Sequence, residues 1–192
     1  WDALDFTTVE SSPDNLVAVL SNNSNLWCFG NRSIEVYQNT GDAAFPFERI
    51  SGATIQTGCE APFTIAKFSN SIAWLGTDEQ GQGVVWFAEG YRPQRISTAA
   101  IEQRIASVGN FTTAWAFAYH EQGHLFYCLQ IPGLDTTLCL DAQTQMWHER
   151  AYKNTETNQL ELHRASCHMF FNKKNYVGDR VNGNIYELSL KH

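Results

Sequence analysis

Ser71-Ile-Ala-Trp-Leu-Gly-Thr-Asp-Glu-Gln-Gly-Gln-Gly-Val-Val-Trp-Phe-Ala-Glu-Gly90 is the stretch that decides the fold. Two short runs of aromatic and β-branched residues flank a loop holding Gly81 and Gly83, which reach positive φ without a steric penalty. This pattern reads as a β-hairpin. Ile72 and Trp74 point to one side of the first strand and Ala73 and Leu75 to the other, so neither face carries the polar residues of a solvated sheet. Both faces are expected to be buried. A small antiparallel sheet covered on both faces needs a neighbour on each side, and similar sheets stacked around an axis supply them.

The rest of the chain offers the copies. A strand is expected within residues 2–9 and a turn cluster at Ser11-Ser-Pro-Asp-Asn15. The first unit then reads as strands at 16–20, 25–30, 33–38 and 45–50, and the second as strands at 63–68, 72–76, 84–88 and 93–97. The third has 115–119, 124–129, 137–140 and 146–150, and a shorter fourth has 166–171, 175–178 and 184–190. Trp27, Trp74, Phe126 and Tyr176 mark the second strands at intervals of 47, 52 and 50 residues. Arg49-Ile-Ser51 and Arg95-Ile-Ser97 recur in the fourth strands, with Glu149-Arg-Ala151 a looser copy. Four strands repeated about every 50 residues are the pattern of propeller blades. Asp141-Ala-Gln-Thr-Gln-Met-Trp147 resembles the turn between third and fourth strands of kelch repeats, with Asp141 bonding across the turn and Trp147 packing between sheets.

One helix is expected between units two and three. Ser97 or Thr98 can cap Ala99–Ala106, where Ile101 and Ile105 share a face at i, i+4. The fold expected is therefore all-β and β-propeller-like, with about four antiparallel blade units, the last incomplete, and one short helical insert. Residues 1–192 are expected to form a single domain. Ala3–Thr7 is expected to complete the last blade beside Ile185–Leu190; otherwise the units form an arc of a larger ring. The chain opens Trp1-Asp2 without an initiator Met, which reads as part of a longer polypeptide.

Composition narrows the function. At 43% hydrophobic and 13% aromatic residues there is enough apolar volume for a core, yet no apolar run approaches the roughly 18 residues that span a bilayer. No membrane partner is expected. The net charge is −7, unevenly spread: residues 1–100 carry 5 basic and 11 acidic groups, 101–147 carry 1 and 4, and 148–192 carry 7 and 5. Duplex DNA is bound largely through Lys and Arg that displace counterions, so this balance argues against direct high-affinity nucleic-acid binding. Cys28, Cys59, Cys128, Cys139 and Cys167 are odd in number and widely spaced. They read as buried free thiols of a protein made in a reducing cytoplasm.

The sequence offers little catalytic chemistry. His163-Arg-Ala-Ser-Cys-His168 gathers three possible metal ligands, but Cys167 and His168 fall on opposite faces of a strand. His120 and His124 flank a hairpin turn, and His148 lies on an outer strand. No nucleophile elbow, phosphate-cradling Gly loop or His-Glu-x-x-His pattern is present. Asp78-Glu-Gln-Gly81-Gln-Gly83, followed by Trp86, resembles the Asp-box turns of sialidase-type propellers with one residue too many between Asp and Gly. No catalytic, cofactor or metal site is assigned.

Several motifs resemble one family in order along nearly the whole chain. Asn39-Thr-Gly-Asp42, Phe45-Pro-Phe-Glu-Arg49, Gly58-Cys-Glu-Ala-Pro62, Trp74-Leu-Gly76, Gly81-Gln-Gly83, Trp147-His-Glu-Arg150, Cys167-His168 and Val177-Gly-Asp179 are similar to the packaged-DNA stabilisation proteins of short-tailed bacteriophages, also called tail accessory or tail hub proteins. The chain matches the middle of such a protein. The resemblance implies a structural virion protein, not an enzyme, that closes the portal vertex after packaging and links neck, tail needle and tailspikes as a homo-oligomeric hub. It implies location in the virion tail or neck after synthesis in the host cytoplasm. Arg49, Arg95 and Arg150 on the fourth strands are the candidate assembly-interface residues, since Arg pairs readily with partner carboxylates. Their plain alternative is edge-strand charge that discourages unwanted pairing. A carbohydrate-binding or glycoside-cleaving propeller is the alternative function.

Overall fold

A computed structural model describes residues 14–43 and 45–189. Among them, β1 (Leu16–Asn22), β2 (Asn25–Gly30), β3 (Ile34–Asn39) and β4 (Phe47–Arg49) form blade 1. Blade 2 consists of β5 (Ala61–Phe68), β6 (Ser71–Thr77), β7 (Gly83–Glu89) and β8 (Arg92–Arg95). The helix α1 (Ala99–Ala106) follows. Blade 3 has β9 (Trp115–Glu121), β10 (His124–Gln130), β11 (Thr137–Asp141), β12 (Met146–Lys153) and β13 (Leu160–Leu162), and blade 4 has β14 (Ala165–Phe171), β15 (Lys174–Asp179) and β16 (Ile185–Leu188). Every sheet is an antiparallel meander in chain order. The all-β propeller arrangement and, among the described residues, a single short helix agree with the sequence reading. The strand expected within residues 2–9, and its pairing beside Ile185–Leu190, lie outside the described residues.

The hairpins repeat one device. The first two strands of each blade are joined by two residues with positive φ: Asn23 and Ser24, Ser69 and Asn70, Gln122 and Gly123, Asn172 and Lys173. Such pairs make the turn whose twist matches that of the strands it joins. The sequence reading gave both loop glycines of blade 2 this role. Gly81 does have φ +81, but Gly83 does not. A Cβ at Gly83 would lie 2.5 Å from a methyl carbon of Ile105, so close approach of the helix requires that glycine.

Packing between sheets follows the alternation. Ile72 and Trp74 face blade 1, in a cluster with Trp27, Phe29, Ile34 and Val36. Ala73 and Leu75 face blade 3, with Tyr127, Leu129, Leu138 and the helix residues Ile101 and Ile105. Blades 3 and 4 meet through Phe117, Tyr119, Phe126, Cys128 and Val177. The first strands are successive neighbours, β1 beside β5, β5 beside β9 and β9 beside β14, which puts them on the inner side of the array. Thr98 caps the helix, its hydroxyl accepting the Ile101 N–H at 3.5 Å. Trp147 reaches across from blade 3, its Nε1–H donating to the Ile96 carbonyl at 2.9 Å.

Three details depart from expectation. Blade 3 has a fifth strand, β13, pairing with Ala151–Lys153, so β12 is not its edge. Trp27 and Trp74 are buried, but Trp86, on the hairpin whose faces are both expected to be buried, is half-buried where it borders a cleft. Cys28, Cys59, Cys128 and Cys139 are buried free thiols, whereas Cys167 is exposed on the outward face of β14.

Candidate assembly surface

Arg49, Arg95 and Arg150 belong to three blades and meet three environments. Arg49, opposite Tyr37 on β4, lies 3.8 Å from the buried carboxylate of Glu35 and keeps 48% of its side chain exposed. Arg95 donates through Nε and Nη2 to both carboxylate oxygens of Glu102, and the Ser97 hydroxyl donates to the same carboxylate at 2.7 Å. This fork fastens α1 to β8. The Arg95 hydrogen bonds hold the Glu102 carboxyl below the usual carboxylate range; burial opposes them and Ser97 adds to them.

Arg150 is inside the seam between blades 3 and 4. Its guanidinium carbon sits 4.6 Å from the centre of the Phe126 ring and 5.6 Å from that of Tyr119, a cation against aromatic faces. It also donates to the Tyr119 hydroxyl, and its Nε–H donates to His148 Nε2 at 3.0 Å. Burial, then the Arg150 charge, hold the imidazoles of His148 and His163 below their ordinary range. The thiols of Cys128 and Cys139 lie 3.2 Å apart on opposed strands in the same seam, and burial pushes the Cys128 thiol well up.

The histidines expected near turns and strands serve packing. His120 and His124 flank the turn between β9 and β10, and His124 Nδ1 meets Asp141 Oδ2 at 2.7 Å. His168 stacks on Phe117, while Asn175 donates to the His120 carbonyl at 2.8 Å, so both fasten blade 4 onto blade 3. Among the described residues no three His, Cys, Asp or Glu side chains are grouped to hold a metal ion.

The surface that the sequence reading missed is the outward face of blade 4. Pairing of Met169 with Tyr176 and of Cys167 with Gly178, itself opposite Ile185, puts Cys167, Met169, Phe171, Tyr176 and Ile185 on one face, together with Lys174 and Glu187, whose side chains pair at 2.6 Å. Met169 is 59% exposed, Phe171 62% and Ile185 75%. Counted from the hairpin turns, Trp27, Ala73, Phe126 and Tyr176 hold equivalent places. The first three face the following blade; Tyr176 lies on the open face. The signal was present in the alternation of residues 167–171, but it reads the same whether or not a neighbour covers it.

Consecutive meanders packed face to face, with their first strands inward, make a propeller. A family described as Phage_stabilise, Bacteriophage P22 Gp10, beta-propeller, matches residues 1–192. The chain belongs to this family. Phage_stabilise membership bears out the resemblance carried by the motifs and makes the chain a structural protein of the bacteriophage virion, of the packaged-DNA stabilisation class. No curated protein matches the chain at a significant level.

Proposed function

We propose that this Phage_stabilise propeller is a neck or tail-hub component that closes the portal vertex after packaging and links neck, tail needle and tailspikes. Residues 1–192 act as one propeller-type domain, and copies assemble as a ring in the virion after synthesis in the host cytoplasm. The observation that carries this reading is the open face of blade 4, where Met169, Phe171 and Ile185 are exposed beside the Lys174–Glu187 ion pair. Contiguous exposed apolar surface is unfavourable in water and marks a protein contact.

The charge distribution supports retention without a grip on DNA. With 20 acidic against 13 basic residues, the chain is poorly suited to displacing counterions from phosphates. An acidic surface beside the exit path keeps duplex from adhering during ejection. Binding then comes from protein surfaces, including the half-exposed Arg49 and Arg95. Arg150 contributes through the seam that holds blade 4 in place.

DNA-filled heads lacking the family's protein provide the test. Purified chain is expected to sediment with such heads, and Phe171→Asp is expected to weaken that association while the fold persists. Failure to associate, or association unchanged by the substitution, overturns the proposed face.

A further inference from the structure

The Asp78 loop, which resembles an Asp-box turn in sequence, lines a broad cleft. This cleft, about 950 Å3, lies between blades 1 and 2. That volume falls within the roughly 300–1,000 Å3 typical of ligand sites. Close backbone approach fixes its walls. A Cβ at Gly58 would come 2.0 Å from the Asn31 carbonyl oxygen, and one at Gly76 2.2 Å from the Gly58 carbonyl oxygen. The loop is also held: Asp78 Oδ1 accepts the Gln80 N–H at 3.0 Å and the Gln82 N–H at 2.9 Å.

The cleft presents unengaged polar groups of both kinds. Asp78 Oδ2 has no hydrogen-bond partner among the described residues, and neither do the carboxamides of Gln56 and Gln82. Arg32 has no ion-pair partner among them. Half-buried Trp86 also borders the cleft, but its Nε1–H is enclosed without an acceptor and is not offered to a ligand. Arg95 brings little net charge, since Glu102 pairs with it and Asp78 is close enough to act on it.

We propose that this cleft binds a neutral glycan. A sugar hydroxyl both donates and accepts, and adjacent hydroxyls suit the planar carboxamide, carboxylate and guanidinium groups gathered here. The ring of Trp86 adds an apolar face for the sugar's C–H bonds. A phosphate ligand would find the arginines offset by Asp78 and Glu102, and a lipid or apolar peptide would find no greasy socket. The proposal is independent of the blade 4 assembly face.

Saturation-transfer NMR decides it, with neutral tri- to heptasaccharides of glucose, galactose, mannose and N-acetylglucosamine as probes and polyphosphate and a polyproline peptide as controls. At least one saccharide is expected to bind the intact chain. Arg32→Ala and Gln56→Ala, both at exposed side chains that leave the core untouched, are each expected to weaken it about tenfold or more. Trp86→Phe, which keeps the ring face and removes the N–H, is expected to weaken it less. Lys174→Ala on blade 4 serves as the control and is expected to change nothing. Silence across the saccharides, binding insensitive to the cleft variants, or preferential binding of polyphosphate or the peptide overturns the proposal.

Discussion

The indole N–H of Trp74 donates to the carbonyl oxygen of Gly58 at 3.1 Å, tying the second strand of blade 2 to the segment that enters it from blade 1. Trp74 is fully buried and makes an edge contact with Phe29 of blade 1, ring centres 5.9 Å apart. Trp74→Ala is expected to cost about 3–5 kcal/mol through lost transfer energy and the cavity left behind. Trp74→Phe keeps much of the ring but strands the Gly58 carbonyl, for a loss of about 1–3 kcal/mol. Urea unfolding followed by circular dichroism measures both; a Trp74→Ala loss below that of Trp74→Phe would contradict this packing.

Stability is expected to fall as the pH drops below about 6.5, for a reason located at the seam of blades 3 and 4. His148 and His163 have folded pKa values below the unfolded value of about 6.5, first through burial and then through the Arg150 charge. Above that unfolded value both states are neutral and stability is complete. As the pH drops through it toward the lowered folded values, the unfolded chain takes up protons first, and stability is lost. His148→Asn is expected to shallow the slope of urea midpoint against pH. Equal slopes in parent and variant would remove His148 from this account.

Helix α1 depends on one carboxylate. Glu102 is buried and accepts from both Arg95 and Ser97. Glu102→Gln keeps the size but loses the fork, so amide exchange over residues 99–106 is expected to accelerate before exchange in β6 does. The Glu102 carboxyl is lowered in the folded chain, so its stabilisation is present above the unfolded carboxylate range and is lost as pH falls through the lowered folded value. Solvent around the half-exposed Arg95 tempers the effect. Exchange unchanged in the helix would show that Ile101 and Ile105 alone hold it.

On the open face of blade 4, polar substitutions are expected to be tolerated by the fold. Met169→Gln and Ile185→Thr remove apolar surface that touches water, and their stability change is expected to stay within about 0.5 kcal/mol. Urea midpoints check this directly. A larger loss at either site would mean that the residue supports the blade itself.

The fold was legible because its signals are local. Alternation in residues 72–75 gave both interblade faces, and aromatic second strands about every 50 residues gave the repeat, although Trp74 lies one place beyond the position that Trp27, Phe126 and Tyr176 share. Thr98 with Ile101 and Ile105 gave the helix. What stayed hidden depends on neighbours far along the chain. Arg150 looks like Arg49 and Arg95 in sequence, yet the Phe126 and Tyr119 rings that receive it come from β10 and β9. The three residues of β13 are too few to show a period, and Gly83 owes its role to Ile105 on the helix. The Asp78 motif, Gly58 and Arg95 were singled out in the sequence without being joined, and Arg32 and Gln56 meet them only through blade stacking.

Duplex-DNA binding at low salt tests most directly the claim that this protein retains the genome through protein contacts and not by gripping it. Fluorescence anisotropy with a labelled duplex is expected to give no binding at micromolar protein, consistent with the net charge of −7. Micromolar or tighter affinity, falling with salt at a slope of about −0.9 per phosphate contact, would contradict the account.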